Sequence, residues 1–191
     1  MVNLIIDCEN KQAIKETCSI LENGGIIVYP TDTLYGFGCD AKNESAIKKI
    51  NYLKGRTSPM SVLAPNKDTV KDWLNVIESD HNIIMKKLKG KSTVIVPVID
   101  GVVSQLVMGE NNTLGIRIPN HEFCRNLSMT FPNPITTTSV NRTGQQAMIN
   151  PQEILSEFKN DIDLIINDGI IDGVGSTIYL YENSSLTILR S

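Results

Sequence analysis

The chain is poor in the residues that metal centres and nucleophilic hydrolases use. It has four cysteines and two histidines, and no two cysteines have C-x-x-C spacing. This pattern disfavours a zinc site and favours reduced, mostly buried thiols. The scarcity of histidine also argues against a Ser–His nucleophile, because that chemistry needs an imidazole base beside the serine.

Long apolar runs and an excess of basic residues are missing as well. The longest apolar stretches, 26–29 and 94–98, are far shorter than the ~20 residues that a membrane-spanning helix needs. The beginning, MVNLIIDCENK, lacks a basic segment followed by a long apolar one, so we expect no secretory signal and a cytoplasmic protein. Lys and Arg number 18 against 21 Asp and Glu, and the net charge of −3 argues against a protein whose main task is to bind a polyanion.

Short apolar runs alternate with segments of helical periodicity along the whole chain. Together with the absence of a linker, a repeat or a low-complexity segment, this alternation predicts one α/β domain over residues 1–191 with a mixed sheet. Strands are predicted at 4–6, 26–29, 61–64, 93–98, 114–118, 135–138, 164–166, 177–181 and 186–189, and helices at 11–22, about 45–53 after a cap at Asn43 or Ser45, 68–76, 80–88, 122–129 and 151–158.

Polar segments stand where predicted strands and helices end, and ligands collect outside strand ends on open α/β sheets. YPTDTLYGFG at 29–38 carries hydroxyls, a carboxylate and glycines, although local turn hydrogen bonds explain this pattern equally well. Lys54-Gly55-Arg56 has two cations that could face one phosphate chain, although a solvated helix end explains them more simply. TTTSVNRTG at 136–144 offers small donors that suit phosphate oxygens.

Two further segments complete this set of polar segments. Arg117 stands between isoleucines inside a predicted strand, and an inward-pointing arginine needs a carboxylate or a ligand phosphate as its partner. GVGST at 173–177 is a glycine turn that brings two hydroxyls to a strand start. Since neither GxxxxGK[ST] nor GxGxxG is present, the residues predict neither a P-loop nor a Rossmann site. They predict a site of cations and small hydroxyl donors, which suits a nucleotide and a small polar substrate.

The ordered set of these segments resembles the threonylcarbamoyl-AMP synthase family, also called YrdC-like. The resemblance extends from about residue 24 to residue 190. It rests on YPTDTLYGFG, on Lys54-x-Arg56 with Ser139-x-Asn141, on GIRIP at 115–119 and on GST at 175–177. It implies a twisted, open mixed sheet flanked by helices, with a concave ligand cleft.

The resemblance also implies a reaction. L-Threonine takes up CO2 from bicarbonate, the new carboxylate attacks the α-phosphate of ATP, and pyrophosphate leaves. The product, threonylcarbamoyl-AMP, supplies the N6-threonylcarbamoyladenosine at position 37 of tRNA, which a partner transferase completes. ATP is then a substrate, Mg2+ bridges its phosphates with few protein ligands, and no covalent enzyme nucleophile is required. Weak tRNA binding fits the same picture.

By the same resemblance, each polar segment has residues with a role. Lys54 and Arg56 would neutralise the triphosphate and Ser139 and Asn141 would hold its oxygens, so these four are the expected catalytic residues. The ATP-binding set then consists of Lys54, Arg56, Arg117, Ser139, Asn141 and Arg190, and the threonine-binding set of Thr31, Thr33, Tyr35, Thr93 and Ser176; no dedicated metal ligands are expected.

The chain departs from the family pattern at several positions. Lys89 and Lys91 replace the prolines of a WPGP-like segment, and Leu63 stands where some members have a histidine. Val140 replaces the commoner alanine. We also expect no additional C-terminal domain after Ser191.

Two other functions compete with this one. The first is a module of the same fold that binds double-stranded RNA or tRNA, against which the acidic balance argues. The second is carbamoyl adenylation, as in the related domain of hydrogenase-maturation proteins, which would use carbamoyl phosphate in place of threonine and bicarbonate.

Overall fold

Ten strands form one mixed sheet in the computed structural model, which describes residues 4–57 and 59–191. Six α-helices pack on this sheet. The strands are β1 (Ile5–Asp7), β2 (Ile27–Tyr29), β3 (Gly36–Gly38), β4 (Ser61–Leu63), β5 (Ser92–Pro97), β6 (Thr113–Arg117), β7 (Ile135–Ser139), β8 (Leu164–Asn167), β9 (Thr177–Glu182) and β10 (Ser185–Arg190), and the helices are α1 (Ala13–Glu22), α2 (Glu44–Lys54), α3 (Lys67–Trp73), α4 (His81–Lys87), α5 (Glu122–Thr130) and α6 (Pro151–Phe158).

The strand order across the sheet is β1-β8-β2-β3-β7-β4-β6-β5-β9-β10. The pairs β1–β8, β8–β2, β4–β6 and β5–β9 are parallel, and the remaining pairs are antiparallel. The predicted α/β class and mixed, helix-flanked sheet are therefore confirmed. Each predicted helix and strand is present, with ends that differ by up to three residues.

Strand β3 lies inside the 29–38 segment and was not among the predicted strands. Glycine disfavours strands by itself, because it has no side chain to pack. The absence of a side chain at Gly38 leaves room for the Tyr29 ring, since a Cβ on Gly38 would lie 2.6 Å from Cε1 of Tyr29. The buried Tyr29 ring thus occupies the space over β3, and β3 pairs with both β2 and β7.

The ends of α2 determine where Lys54 and Arg56 lie. The side chain of Asn43, rather than that of Ser45, caps the helix by accepting a hydrogen bond from the Ala46 backbone N–H. Gly55 ends the helix with a φ of 66°, a left-handed conformation that suits glycine. The chain therefore turns sharply between the two cations, and their side chains diverge.

Helices cover one face of the sheet, whereas the other face is covered only in part. On the first face, core residues of α2, α4 and α6 such as Ile50, Ile84 and Phe158 are fully buried. On the second face, α1 and α5 bury Leu21 and Leu127 against the end of the sheet formed by β1, β8 and β2. Farther along this second face, residues of β4, β6, β5 and β9 line a cavity.

Two expectations from composition bear on the cysteines and on membranes. All four cysteines are free, and Cys18, Cys39 and Cys124 are buried, which confirms the prediction of mostly buried thiols. Cys8 is half-buried and donates a hydrogen bond to Oδ1 of Asp168. Among the described residues, no helix has both the length and the apolar character needed to cross a bilayer.

Candidate functional site

A cavity of about 730 Å³ lies over the uncovered part of the sheet. This volume is in the range of sites for nucleotide-sized ligands. With the exception of Lys54, all of the predicted site residues line it. These residues are Thr31, Thr33, Tyr35, Arg56, Thr93, Arg117, Ser139, Asn141, Ser176 and Arg190.

The strand register places residues from distant parts of the sequence side by side on the cavity floor. Ser61 of β4 is paired with both Gly115 of β6 and Thr137 of β7. Gly115 keeps this floor open, because a Cβ there would lie 2.6 Å from Oγ of Ser61. Small residues at the centre of the sheet thus leave room for a ligand between the polar side chains at the rim.

Arg56 presents unsatisfied hydrogen-bonding capacity at one side of the cavity. Its NH2 group donates to Oγ1 of Thr138 at 3.1 Å. Its Nε is buried and has no hydrogen-bond partner among the described residues. Burial also lowers the pKa of the Arg56 guanidinium. A partly desolvated guanidinium with a free N–H beside a cavity is suited to an anionic oxygen.

Lys54 lies behind the cavity wall instead of on it. It is 2% exposed, and its ammonium donates to the backbone oxygens of Ser139, at 2.5 Å, and Asn141, at 3.1 Å. A third bond, of 2.8 Å, goes to Oδ1 of Asn141. Burial, and secondarily the charge of Arg56, lower the pKa of Lys54 to about 8. The two cations of the Lys-Gly-Arg motif therefore face different surroundings.

Arg117 has a carboxylate partner, which was one of the two predicted alternatives. Its NH2 group donates to Oδ1 of Asp32 at 2.9 Å and to Oγ1 of Thr33 at 3.0 Å. Its Nε is buried and unpartnered among the described residues, so the side chain retains capacity for a ligand. Asp32 was not a predicted site residue, although it lies inside the 29–38 segment.

Asp32 joins three separate stretches of chain. Besides Arg117, its side chain accepts hydrogen bonds from the backbone N–H groups of Lys91 and Asn120, both at 2.8 Å. The carboxylate is 6% exposed, although its two backbone donors belong to surface residues. The segment in which Lys89 and Lys91 replace prolines is thereby fixed to the strand-end motif.

We expect Asp32→Asn to lower the free energy of unfolding by roughly 3 kcal/mol. An amide cannot neutralise Arg117, and removing one partner of a buried ion pair commonly costs about 3–5 kcal/mol. Urea denaturation would measure this loss. Asp68→Asn is the matched control, because Asp68 pairs with Lys71 at the surface and should lose less than about 1 kcal/mol. Equal losses in the two variants would contradict the role given to Asp32.

Four of the five predicted threonine-binding residues form two hydroxyl pairs. Oγ1 of Thr31 lies 3.0 Å from Oγ1 of Thr33, and Oγ1 of Thr93 lies 2.7 Å from Oγ of Ser176. All four residues are buried. Thr31 also accepts from the backbone N–H groups of Thr33 and Leu34, so its hydroxyl mainly stabilises its own turn. Thr33, Thr93 and Ser176 remain the better placed to meet a ligand.

The hydroxyl of Tyr35 is committed to protein groups. It donates to the Gly169 carbonyl at 2.7 Å and accepts from the Asp168 N–H at 2.9 Å. Burial raises the pKa of this phenol to about 12, so it stays protonated. Tyr35 therefore holds the 168–169 turn, while the rest of the residue contributes to the cavity wall.

Residues 170–175, here called the strap, run from that turn across the cavity rim to Ser176. The strap passes so close to Thr33 that a Cβ on Gly173 would lie 2.0 Å from the Thr33 carbonyl oxygen. At its end, NH2 of Arg190 donates to the Ser176 carbonyl at 2.9 Å. Sequence reasoning proposed Ser176 and Arg190 as site residues and placed Gly173 in a glycine turn. It could not show why glycine is required at 173, because the requirement is set by a neighbour 140 positions away.

Sequence reasoning also missed the apolar part of the cavity wall, because it searched for polar groups. A nucleobase or an aliphatic substrate group could pack there. The apolar lining consists of Leu34, Pro59, Met60, Ile95, Ala147, Val174, Ile178 and Leu180. Glu110 is the carboxylate side chain on this wall among the described residues.

The family model for Sua5, YciO and YrdC, described as "Telomere recombination", matches residues 19–191. The chain is 28% identical over 197 residues to a threonylcarbamoyl-AMP synthase of Psychromonas ingrahamii, and the match covers all of both chains. It is 27% identical over 161 residues to the threonylcarbamoyl-AMP synthase of an Enterobacter species, covering 82% of this chain and 84% of the relative. Both matches therefore cover more than four fifths of each partner.

The fold is also similar to a crystal structure of P. abyssi Sua5 complexed with L-threonine. The TM-score is 0.87 at 25% sequence identity, and the match covers 98% of this chain. The chain spans 57% of the length of that Sua5 protein.

Proposed function

The chain belongs to the Sua5/YciO/YrdC family, and we propose that it is a threonylcarbamoyl-AMP synthase. It makes threonylcarbamoyl-AMP and pyrophosphate from L-threonine, bicarbonate and ATP, for the N6-threonylcarbamoyladenosine modification of tRNA. The observation that supports this most directly is a single cavity that combines a partly desolvated Arg56 and the 139–141 turn with the buried hydroxyls of Thr33, Thr93 and Ser176. Residues 1–191 would act as one YrdC-like domain.

Two regions of the cavity suit the two main substrates. Arg56 and the 139–141 turn lie together on one side, and a triphosphate would bind against them, because charge accumulates on its oxygens. Threonine would bind near Thr33, Thr93 and Ser176, whose hydroxyls can exchange hydrogen bonds with its polar groups. Arg117 lies on this side and has an Nε free for a carboxylate or phosphate oxygen. Arg190 is then available to the nucleotide.

The chemistry follows from this arrangement. An oxygen of the N-carboxythreonine carboxylate attacks the α-phosphorus of ATP, the bond from that phosphorus to the bridging oxygen breaks, and pyrophosphate leaves with the electron pair. Arg56 would stabilise the charge that develops on the phosphoryl oxygens and the leaving group. The cavity positions both substrates, so the enzyme needs no covalent intermediate.

Magnesium fits this site as an ion carried mainly by the nucleotide. Within residues 4–57 and 59–191, no three His, Cys, Asp or Glu side chains converge to hold a metal. Ser139 donates its hydroxyl proton to Oδ1 of Asn141 at 2.6 Å, which leaves the lone pairs of its Oγ available. Ser139 would therefore be the side chain that joins phosphate oxygens and water around the ion, which would offset the charge of the triphosphate.

The remaining partners follow from the product. Threonylcarbamoyl-AMP is an activated acyl group, so a transferase must pass it to tRNA, and tRNA would bind this chain weakly if at all because of the net charge of −3. The compartment would be the cytoplasm, where ATP and tRNA are present.

Omitting substrates one at a time tests the proposal. Pyrophosphate release is expected to require ATP, L-threonine and bicarbonate together, and to fall to background when any of them is left out. Malachite green after pyrophosphatase treatment would measure it. Turnover with carbamoyl phosphate but not with threonine would indicate carbamoyl adenylation instead. Steeply salt-dependent tRNA binding without threonine-dependent turnover would indicate an RNA-binding module.

A further inference from the structure

We infer that Lys54 is a positioning residue, whose ammonium fixes the 139–141 turn in the shape that the triphosphate meets, while the phosphate contacts are made by Arg56 and the turn. This inference rests on the proposed function. It assigns different roles to the two cations of the Lys-Gly-Arg motif, whose proximity in the sequence would otherwise suggest that both bind phosphate.

The hydrogen bonds of Lys54 leave no donor for a ligand. An ammonium has three protons, and the three are accounted for by the Ser139 carbonyl, the Asn141 carbonyl and Oδ1 of Asn141. The side chain is 2% exposed and is not part of the cavity lining, whereas Arg56, Ser139 and Asn141 are. A phosphate could reach this ammonium only by breaking the bonds that shape the turn.

The turn depends on these bonds because, among the described residues, the side-chain amide of Asn141 has no other group that could hold it in place of Lys54. Oδ1 of Asn141 accepts from both Lys54 and Ser139, and Nδ2 of Asn141 donates to the carbonyls of Arg142 and Gln145. The Thr143 N–H donates to the Lys54 carbonyl, so the backbone joins the end of α2 to the same stretch. Without the ammonium, two partly buried carbonyl oxygens and one amide oxygen would lose a donor together, which favours a different turn conformation.

The charge of Lys54 links this network to pH. Because burial lowers its pKa to about 8, the ammonium loses a proton in mildly alkaline solution and the neutral amine can serve only two of the three acceptors. The pKa is lower in the folded chain than in the unfolded one, so the contribution of this group to the free energy of unfolding rises as the pH increases above 8. The titration of Lys54 therefore does not itself favour unfolding at alkaline pH.

A double-mutant cycle separates positioning from direct phosphate contact. Lys54→Met keeps the length of the side chain and removes its donors, and it should lower kcat/KM by about 100-fold, as a displacement of about 1 Å in a catalytic group commonly does. Asn141→Ala should cause a similar loss, and the double variant should lose little more than either single variant, because both changes break one network. If the fold losses of the two single variants multiplied in the double variant, Lys54 would act on the phosphate independently of Asn141. This result would overturn the inference.

A binding measurement gives a readout that does not depend on turnover. Calorimetric titration with inorganic tripolyphosphate should show affinity reduced equally by Lys54→Met and Asn141→Ala, with no further reduction in the double variant. An affinity reduced much more by Lys54→Met than by Asn141→Ala would also contradict the inference. If the wild-type chain bound tripolyphosphate but released no pyrophosphate with threonine and bicarbonate, the proposed function would fail while the role of Lys54 could still be judged.

Two further variants complete the design. Lys49→Met, on the exposed side of α2, is the matched control and should change neither binding nor kcat/KM. Lys54→Arg keeps a permanent charge and hydrogen-bond donors at this position, so it should retain more activity and tripolyphosphate affinity than Lys54→Met. Wild-type activity and affinity in Lys54→Met would contradict the role of the ammonium. Urea denaturation verifies that each variant is folded.

Discussion

Replacing Arg56 by alanine is expected to lower kcat/KM for ATP by about 100-fold or more, because removal of one charge-stabilising donor at a reacting centre commonly costs that much. The same change should alter the free energy of unfolding by only about 1 kcal/mol, since the Arg56 side chain makes one hydrogen bond to the described residues, to Thr138. Steady-state pyrophosphate release and urea denaturation would measure the two quantities on the same preparation. The contrast between them is what distinguishes a ligand-binding arginine from a structural one.

Arg142→Ala is the matched control for this experiment. Arg142 lies in the same region, but it pairs with Glu157 at 3.2 Å and packs over the Phe158 ring, and it is not part of the cavity lining. Its loss should therefore affect stability slightly and kcat/KM by less than about threefold. Arg56→Lys should recover only part of the activity, because a lysine lacks the planar fork of donors. Near-normal turnover of Arg56→Ala would remove the main support for the phosphate side of the site.

The elements of the fold could be predicted where local patterns and tertiary packing agree. Helix α6 was predicted with its observed bounds, since a proline at the first turn and an apolar face both favour it. Strand β3 could not be predicted, because two of its three residues are glycines, which disfavour strands. The Tyr29 ring that packs against Gly38 belongs to another strand. The strand order could not be predicted either, since β8 pairs with β1 and β2, which lie more than a hundred residues away in the sequence.

The same limit applies to the candidate site: residues in sequence motifs could be predicted, whereas roles that depend on contacts with distant residues could not. Ser139 and Asn141 stand in a recognisable order with Arg56, so a comparison of segments was enough to propose them. The burial of Lys54 could not be read from its motif, because Gly55 turns the chain and sends the two cations to different surroundings. Asp32 likewise has an importance that depends on Arg117, Lys91 and Asn120, none of which is near it in the sequence.

Gly173→Ala is expected to raise the KM for threonine and to lower kcat/KM by about 100-fold, because a misplacement of about 1 Å at a binding site can cost that much. The added Cβ would lie 2.0 Å from the Thr33 carbonyl oxygen, a backbone atom that cannot rotate away as a side chain does. Either the strap, which leads directly into Ser176, or the Thr33 turn must therefore move, and Thr33 and Ser176 are both placed near threonine. Threonine titrations at saturating ATP and bicarbonate would measure the effect.

Ile170→Ala tests whether the effect belongs to the contact or to any change in the strap. Ile170 is 66% exposed and is not part of the cavity lining, so its truncation should leave the KM for threonine within about twofold of the wild-type value. Since Thr33 lies on the threonine side of the cavity, Gly173→Ala should affect tripolyphosphate binding far less than threonine binding. Equal losses of both ligands would mean that the strap supports the whole cavity, and an unchanged KM for threonine would mean that the strap does not form this wall in solution.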